Sequence, residues 1–145
     1  RSAIAATSGN EDCHIILRGG HTPNYDRESV DAAALELSRA GVAPRIMIDS
    51  SHANSSKKPE NQPLVVADIA GQLAGGEQRI TGVMIESNLV AGRQDVVPGK
   101  PLTHGQSITD GCIDWETTVS ALNTLANAVS ARRNVRSRKL QERSA

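Results

Sequence analysis

The stretch I-M-I-D-S-S-H-A-N-S-S-K, residues 46–57, joins a short apolar run to a polar loop. Ile46, Met47 and Ile48 have the character of a buried β-strand, and the polar residues after them are typical of a strand end that opens onto a site. Within this loop His52 carries the most versatile side chain, since imidazole can bind a metal or move a proton. The stretch therefore predicts a strand that delivers a functional histidine at its carboxyl end.

Two further apolar runs repeat this arrangement. The run 14–17 is followed by Arg18, and the run 80–86 ends at Glu86, so that Arg18, His52 and Glu86 recur at intervals of 34 residues. That interval is about the length of one strand, one helix and their two loops. The spacing predicts three successive strands that bring these side chains to the same register at one end of a sheet.

Helical patterns lie between the predicted strands. Asp26 is the predicted N-cap of a first helix, which stops at Gly41. A second helix has Pro63 in its first turn and ends at the glycine pair 75–76. Both segments have the length and the punctuation of crossover helices.

A long polar connection over residues 87–111 separates the last strand from a third helix, and loops of this length usually carry function. The helix is predicted to start at Asp114 and to end near Arg132 and Arg133. Its predicted inner face is an apolar stripe formed by Trp115, Val119, Leu122, Ala126 and Val129.

The alternation of strands and helices favours an α/β fold with a parallel sheet. A (β/α)8 barrel is preferred to an open doubly wound sheet, because three successive strands each deliver a polar residue at one height. Three strands cannot close a barrel of ~250 residues. The chain is therefore predicted to be the C-terminal part of a TIM barrel, about three βα units, incomplete on its own. An unpaired sheet edge, an uncovered apolar face and low stability are expected.

Composition narrows the range of partners. Sixteen basic and sixteen acidic residues cancel, so nothing global favours a nucleic acid or an anionic membrane, and no apolar stretch approaches the ~20 residues of a membrane span. Cys13 and Cys112 lack metal-type spacing, which favours two buried thiols over thiolate ligands and predicts a cytoplasmic protein.

Residues 1–134 form the predicted barrel domain. Residues 135–145 form a basic tail, predicted to be a frayed, solvated helix end, with a phosphate-binding tail as the alternative.

Four residues could carry chemistry. His52, Glu86 and Asp110 offer one imidazole and two carboxylates, a set that suits Mn, Fe, Co or Zn with a position left open. Each also has a structural alternative: a hydrogen-bonded histidine, a solvated carboxylate, and an aspartate that caps a turn. Arg18, followed by two glycines, could bind an anionic substrate or simply lie in water.

Seven segments together resemble one known family. They are G-N-E-D-C-H-I-I-L-R-G-G (9–20), P-N-Y (23–25), M-I-D-S-S-H-A-N-S-S-K (47–57), A-G-G-E (74–77), G-V-M-I-E-S (82–87), S-I-T-D-G-C-I (107–113) and L-A-N-A-V-S-A-R-R (125–133). In this order they are similar to the class I 3-deoxy-D-arabino-heptulosonate 7-phosphate (DAHP) synthases. The resemblance ends near Asn134. Ser50 stands where an aromatic residue is common in the family.

The resemblance implies a (β/α)8 barrel that condenses phosphoenolpyruvate with erythrose 4-phosphate and releases phosphate, the first step of the shikimate pathway. It implies that His52, Glu86 and Asp110 are metal ligands, that Asp110 and His52 assist proton movement, and that Arg18 holds phosphoenolpyruvate. The divalent metal would polarise the aldehyde towards attack by the enol-phosphate carbon. A homo-oligomer is implied for the full-length protein.

The family's cysteine ligand and its sugar-phosphate loop match nothing in the chain. The fragment is accordingly expected to be inactive alone. Two alternatives remain: a non-catalytic barrel fragment that serves as an interaction or assembly partner, and a different metal-dependent barrel aldolase.

Overall fold

The computed structural model describes residues 3–10 and 12–143, which contain a three-stranded parallel sheet and three long helices. The strands are β1 (Ile15–Leu17), β2 (Ile46–Asp49) and β3 (Ile80–Met84), and they are paired in chain order. The helices are α1 (Arg27–Arg39), α2 (Gln62–Ala74) and α3 (Trp115–Arg143), and a short 3₁₀ helix (Pro59–Asn61) precedes α2. The predicted α/β order with a parallel sheet is confirmed.

The ends of the first two helices follow from local chemistry. The side chain of Asp26 accepts a hydrogen bond from the Ser29 N–H, which satisfies one free donor in the first turn of α1. Pro63 lies in the first turn of α2, where a missing N–H costs nothing, and Gly75 is the C-cap. These boundaries agree with the sequence-based predictions.

One core holds the sheet and the helices together. Ile46, Ile48 and Ile80 of the sheet are almost completely buried. They pack against residues of all three helices, namely Val30, Ala34, Val65, Ile69, Ala70, Leu73 and Ala128. No aromatic side chain is fully buried within residues 3–10 and 12–143, so the stability of the core depends on close packing of branched aliphatic residues and alanines.

The opposite face of the sheet is not covered in this way by any element of the described residues. Ile16 pairs with Met47, and Met47 pairs with Gly82, so these residues form one row on that face. Ile16 is 43% exposed. Within the described part of the chain, β1 and β3 each pair with β2 alone, which leaves both edges of the sheet open. The expected open edge and apolar face are therefore present.

The third helix differs from its prediction in orientation and length. Trp115 and Leu122, in the stripe predicted to face inward, are 55% and 50% exposed. Val129 of the predicted stripe is partly buried against the core. The rest of the inner face consists of Thr118, Ala121, Leu125, Ala128 and Arg132, most of them small residues that allow α3 to lie close to α2. The helix continues to Arg143 rather than fraying after Arg133, so the described part of the basic tail belongs to α3.

Arg132 connects α3 to the start of β3. Its guanidinium donates hydrogen bonds of 3.1 Å to the backbone oxygens of Glu77 and Ile80. We expect Arg132→Ala to lower the free energy of unfolding by about 2 to 4 kcal/mol, because two charge-assisted bonds are lost. Arg133→Ala, on the exposed side of the same helix, should change it by less than ~0.5 kcal/mol. Urea unfolding of both variants measures the difference, and equal losses would contradict this role.

The connection predicted over residues 87–111 contains more structure than expected. Two short strands, β4 (Val90–Arg93) and β5 (Gln106–Ser107), pair in parallel within it.

The prediction that both cysteines are buried is confirmed for Cys112 and wrong for Cys13, which is exposed. Across residues 3–10 and 12–143, none of the helices combines the length and the apolar character needed to cross a bilayer.

Candidate metal centre

The loop after β2 places His52 at the carboxyl end of the sheet. It turns tightly, and the Lys57 N–H donates a 2.7 Å hydrogen bond to the His52 backbone oxygen. His52 has a φ of 50°, a left-handed conformation that non-glycine residues rarely adopt. Such strain is typical of functional sites, where the surrounding structure holds it in place.

His52, Glu86 and Asp110 come together although they lie on three separate segments. One ligand atom from each residue lies within 4.8 Å of the other two. The Nε2 atom of His52 is 3.3 Å from Oε1 of Glu86. The predicted convergence of these three side chains is therefore present in the fold. Their roles as ligands or catalysts stay predictions.

Arg18 reaches the same site from a different register. Leu17 pairs with Ile48, so Arg18 is level with Asp49 and not with His52. The expectation of one register is therefore wrong, because His52 lies in the loop beyond the strand end. The Arg18 side chain is 61% exposed, and its Nε atom is 3.7 Å from the Asp49 carboxylate. Most of the guanidinium thus stays available to an anion.

Asp49 and Ser51 form a hydrogen-bond network with His52 that sequence reasoning missed. One oxygen of Asp49 accepts from the backbone N–H (2.8 Å) and the hydroxyl (2.6 Å) of Ser51. The other oxygen lies 2.7 Å from Nδ1 of His52. The carboxylate, which has no exposed surface, therefore fixes the orientation of the imidazole.

Gln62, at the start of α2, holds the backbone of Glu86. Its amide oxygen accepts from the Glu86 N–H, and its amide nitrogen donates to the Glu86 backbone oxygen, both at 2.9 Å. Ser50 donates a 2.7 Å bond to the Met84 backbone oxygen beside them. Ser50, which stands where an aromatic residue is common in the family, is thus buried and hydrogen-bonded. Gln62 holds the backbone of Glu86 in place although β3 ends two residues before it.

Asn54 ties the loops after β1 and β2 together. Its amide nitrogen donates to the backbone oxygens of Leu17 (3.1 Å) and Asp49 (2.8 Å), and its oxygen accepts from the Asn24 N–H (2.8 Å). Gly19 approaches so closely that a Cβ there would lie 2.7 Å from the Cβ of Ala53. The first glycine after Arg18 is thus required by close packing of the two loops.

The electrostatics of the site favour a cation. Burial raises the pKa of Glu86, and the carboxylates of Asp110 and Asp49 raise it further, against the opposing charges of His52 and Arg18. When Nδ1 of His52 donates to Asp49, Nε2 presents a lone pair towards a carboxylate oxygen 3.3 Å away. Two facing acceptors at this distance are satisfied when a proton or a metal ion lies between them. One nitrogen and two oxygen donors suit a divalent transition metal, so these residues fit such an ion.

The cluster opens into a cavity of about 430 Å³. Its wall includes Arg18 and Lys57 as well as the three residues of the cluster. A volume of this size accommodates a small metabolite. Positive side chains beside a candidate metal centre favour an anionic ligand over a neutral one.

The chain is similar in sequence to several known proteins. Residues 2–123 match the DAHP synthetase I family. The chain is 56% identical over 132 residues to the Phe-sensitive phospho-2-dehydro-3-deoxyheptonate aldolase of Escherichia coli (strain K12), and 53% identical over 137 residues to a phospho-2-dehydro-3-deoxyheptonate aldolase of Haemophilus influenzae. These alignments cover 91% and 94% of this chain.

A solved structure is also similar. The phospho-2-dehydro-3-deoxyheptonate aldolase of Francisella tularensis superposes with a TM-score of 0.84 at 51% identity, over 90% of this chain and 38% of that chain. The chain likewise spans 38% of the length of the two curated relatives. The sequence match extends across the three strands and the candidate metal centre. The chain therefore belongs to the DAHP synthetase I family.

Proposed function

We propose that this chain supplies part of the active site of a DAHP synthase, which condenses phosphoenolpyruvate with erythrose 4-phosphate and releases phosphate. The observation that carries the proposal is the convergence of His52, Glu86 and Asp110 at one end of a parallel sheet. The family match and the identity to relatives named as phospho-2-dehydro-3-deoxyheptonate aldolases support it.

In this proposal His52, Glu86 and Asp110 hold a divalent metal, Mn, Fe, Co or Zn. When bound there, the metal would supply Lewis-acid polarisation of the acceptor aldehyde. Arg18 binds the anionic groups of phosphoenolpyruvate, for which a bidentate guanidinium is well suited, and Lys57 adds a second positive charge to the cavity. Asp110, the most exposed of the three ligands, assists proton movement at the reacting atoms. His52, whose two nitrogens serve the metal and Asp49, contributes to that step only as a ligand.

The sheet is proposed to be part of a (β/α)8 barrel. The open edges of β1 and β3, and the exposed Ile16 on the uncovered face, are where further strands would pair and pack. The coverage of 38% of the relatives supports this view. A homo-oligomer of the full-length protein and a cytoplasmic location complete the proposal.

Phosphate release from both substrates in the presence of Mn²⁺ tests this function. We expect no turnover by the 145-residue chain alone. A chimera should turn over if it adds the part of the E. coli relative outside the aligned 132 residues. Turnover by the isolated chain would refute incompleteness. A folded but inactive chimera would refute the catalytic proposal and favour a non-catalytic fragment. A chimera that used an aldehyde other than erythrose 4-phosphate would indicate a different aldolase.

A further inference from the structure

The imidazole of His52 has competing partners for its two nitrogens. Nδ1 lies 2.7 Å from the Asp49 carboxylate and 2.7 Å from the Ser51 hydroxyl, while Nε2 lies 3.3 Å from Glu86. A neutral imidazole carries one proton, and the nitrogen that carries it cannot bind a metal. The tautomer of His52 therefore decides whether the candidate metal centre can form.

The geometry favours the proton on Nδ1. The Ser51 hydroxyl donates to the first oxygen of Asp49, which orients the second oxygen towards Nδ1 at a shorter distance than Glu86 has to Nε2. Asp49 has no exposed surface, so water does not compete for this bond, whereas the Glu86 side chain is 24% exposed. A carboxylate only accepts hydrogen bonds, and it therefore requires a proton on the nitrogen it faces.

We propose that Asp49 is a positioning residue that fixes the Nδ1–H tautomer of His52 and so leaves Nε2 free to bind the metal. Ser51 supports it by holding the carboxylate. The inference rests on the proposed metal centre, but the tautomer can be measured without any metal. Carboxylates that orient ligating histidines in this way raise metal affinity about 10- to 100-fold.

The test is Asp49→Asn in the full 145-residue chain. The amide keeps the shape of the side chain, but its NH₂ group can face Nδ1 and donate to it, which favours the Nε2–H tautomer. We expect Mn²⁺ affinity, measured by electron paramagnetic resonance, to fall about 10- to 100-fold. Asp95→Asn removes the same charge at an exposed position and should leave the affinity unchanged. An affinity of the Asp49 variant within twofold of the unmodified chain would overturn the proposal.

Nitrogen-15 NMR of the metal-free chain at alkaline pH gives a second readout. The His52 signal, assigned by its loss in His52→Gln, should show the proton on Nδ1 in the unmodified chain and on Nε2 in Asp49→Asn. A proton on Nε2 in the unmodified chain would overturn the proposal, whatever the fold of the variant. If Asp49→Asn does not fold, Ser51→Ala replaces it, with a smaller loss of affinity and a partial shift of tautomer expected. An unchanged His52 tautomer in Ser51→Ala would contradict the proposal.

These outcomes also separate this inference from the proposed function. An unmodified chain that shows the Nδ1–H tautomer but binds no Mn²⁺ would contradict the metal centre of this chain and leave the positioning by Asp49 supported. A chain that binds Mn²⁺ with the same affinity with and without the Asp49 carboxylate would support the metal centre and contradict the positioning.

Discussion

Replacing His52 with alanine is expected to lower the Mn²⁺ affinity of the chain more than about 100-fold, since loss of a ligand should exceed the cost of losing a group that only orients one. The imidazole is the single nitrogen donor of the candidate set. Its removal leaves only the two carboxylates of Glu86 and Asp110 as candidate ligands. In the chimera with the E. coli segment, the same change should abolish phosphate release.

His104→Ala is the control for this experiment. His104 lies on the exposed connection before β5, outside the cavity, so its removal should change neither Mn²⁺ affinity nor turnover. Glu86→Gln and Asp110→Asn test the other two ligands and should each weaken binding. Retention of Mn²⁺ affinity by the His52 variant would contradict the metal centre. If only the His52 variant lost affinity, Glu86 and Asp110 would not be ligands.

The sequence was sufficient to predict the parts of the fold that depend on local chemistry. The strand Ile46–Asp49, the Asp26 cap and the first turn of α2 follow from hydrophobic runs, capping preferences and proline. The family motifs extended this to the convergence of His52, Glu86 and Asp110. Equal spacing alone was misleading about register, since Arg18 is level with Asp49.

What the sequence could not predict depends on tertiary contacts. The inward face of α3 is defined by Ala121 and Ala128, because small residues let two helices approach, whereas hydrophobicity selected the exposed Trp115 and Leu122. The bonds from Gln62 to Glu86 join residues 24 positions apart, and no local pattern marks a glutamine as a backbone partner. The supporting network of the site was missed for the same reason.

An ion-pair network opposite the candidate metal centre should make the fold sensitive to acid. Glu77, whose side chain is 5% exposed, accepts bonds from the backbone N–H (2.8 Å) and Nε (2.7 Å) of Arg79. Arg79 also pairs with Asp31 of α1, and Arg132 of α3 donates to the Glu77 backbone oxygen. This network, at the end of the sheet where β3 begins, therefore connects α1 and α3 to the segment before β3.

Hydrogen bonding to Arg79 lowers the pKa of Glu77 from 4.5 to about 2, despite the opposing effect of burial. Because the pKa is lower in the folded state, the unfolded chain binds more protons between these two values. The pair should stabilise the fold fully above about pH 4.5, and this contribution should be lost as the pH falls towards 2. A shift of this size corresponds to about 3 kcal/mol.

Glu77→Gln should therefore lower the free energy of unfolding by about 3 kcal/mol near neutral pH, and the difference from the unmodified chain should shrink as the pH falls towards 2. Urea unfolding over this pH range measures it. Glu36→Gln breaks an exposed pair with Arg39, in which both side chains are more than 60% exposed, and should cost less than ~1 kcal/mol. A loss in Glu77→Gln that does not change with pH would show that Glu77 stabilises the fold by packing rather than by its charge.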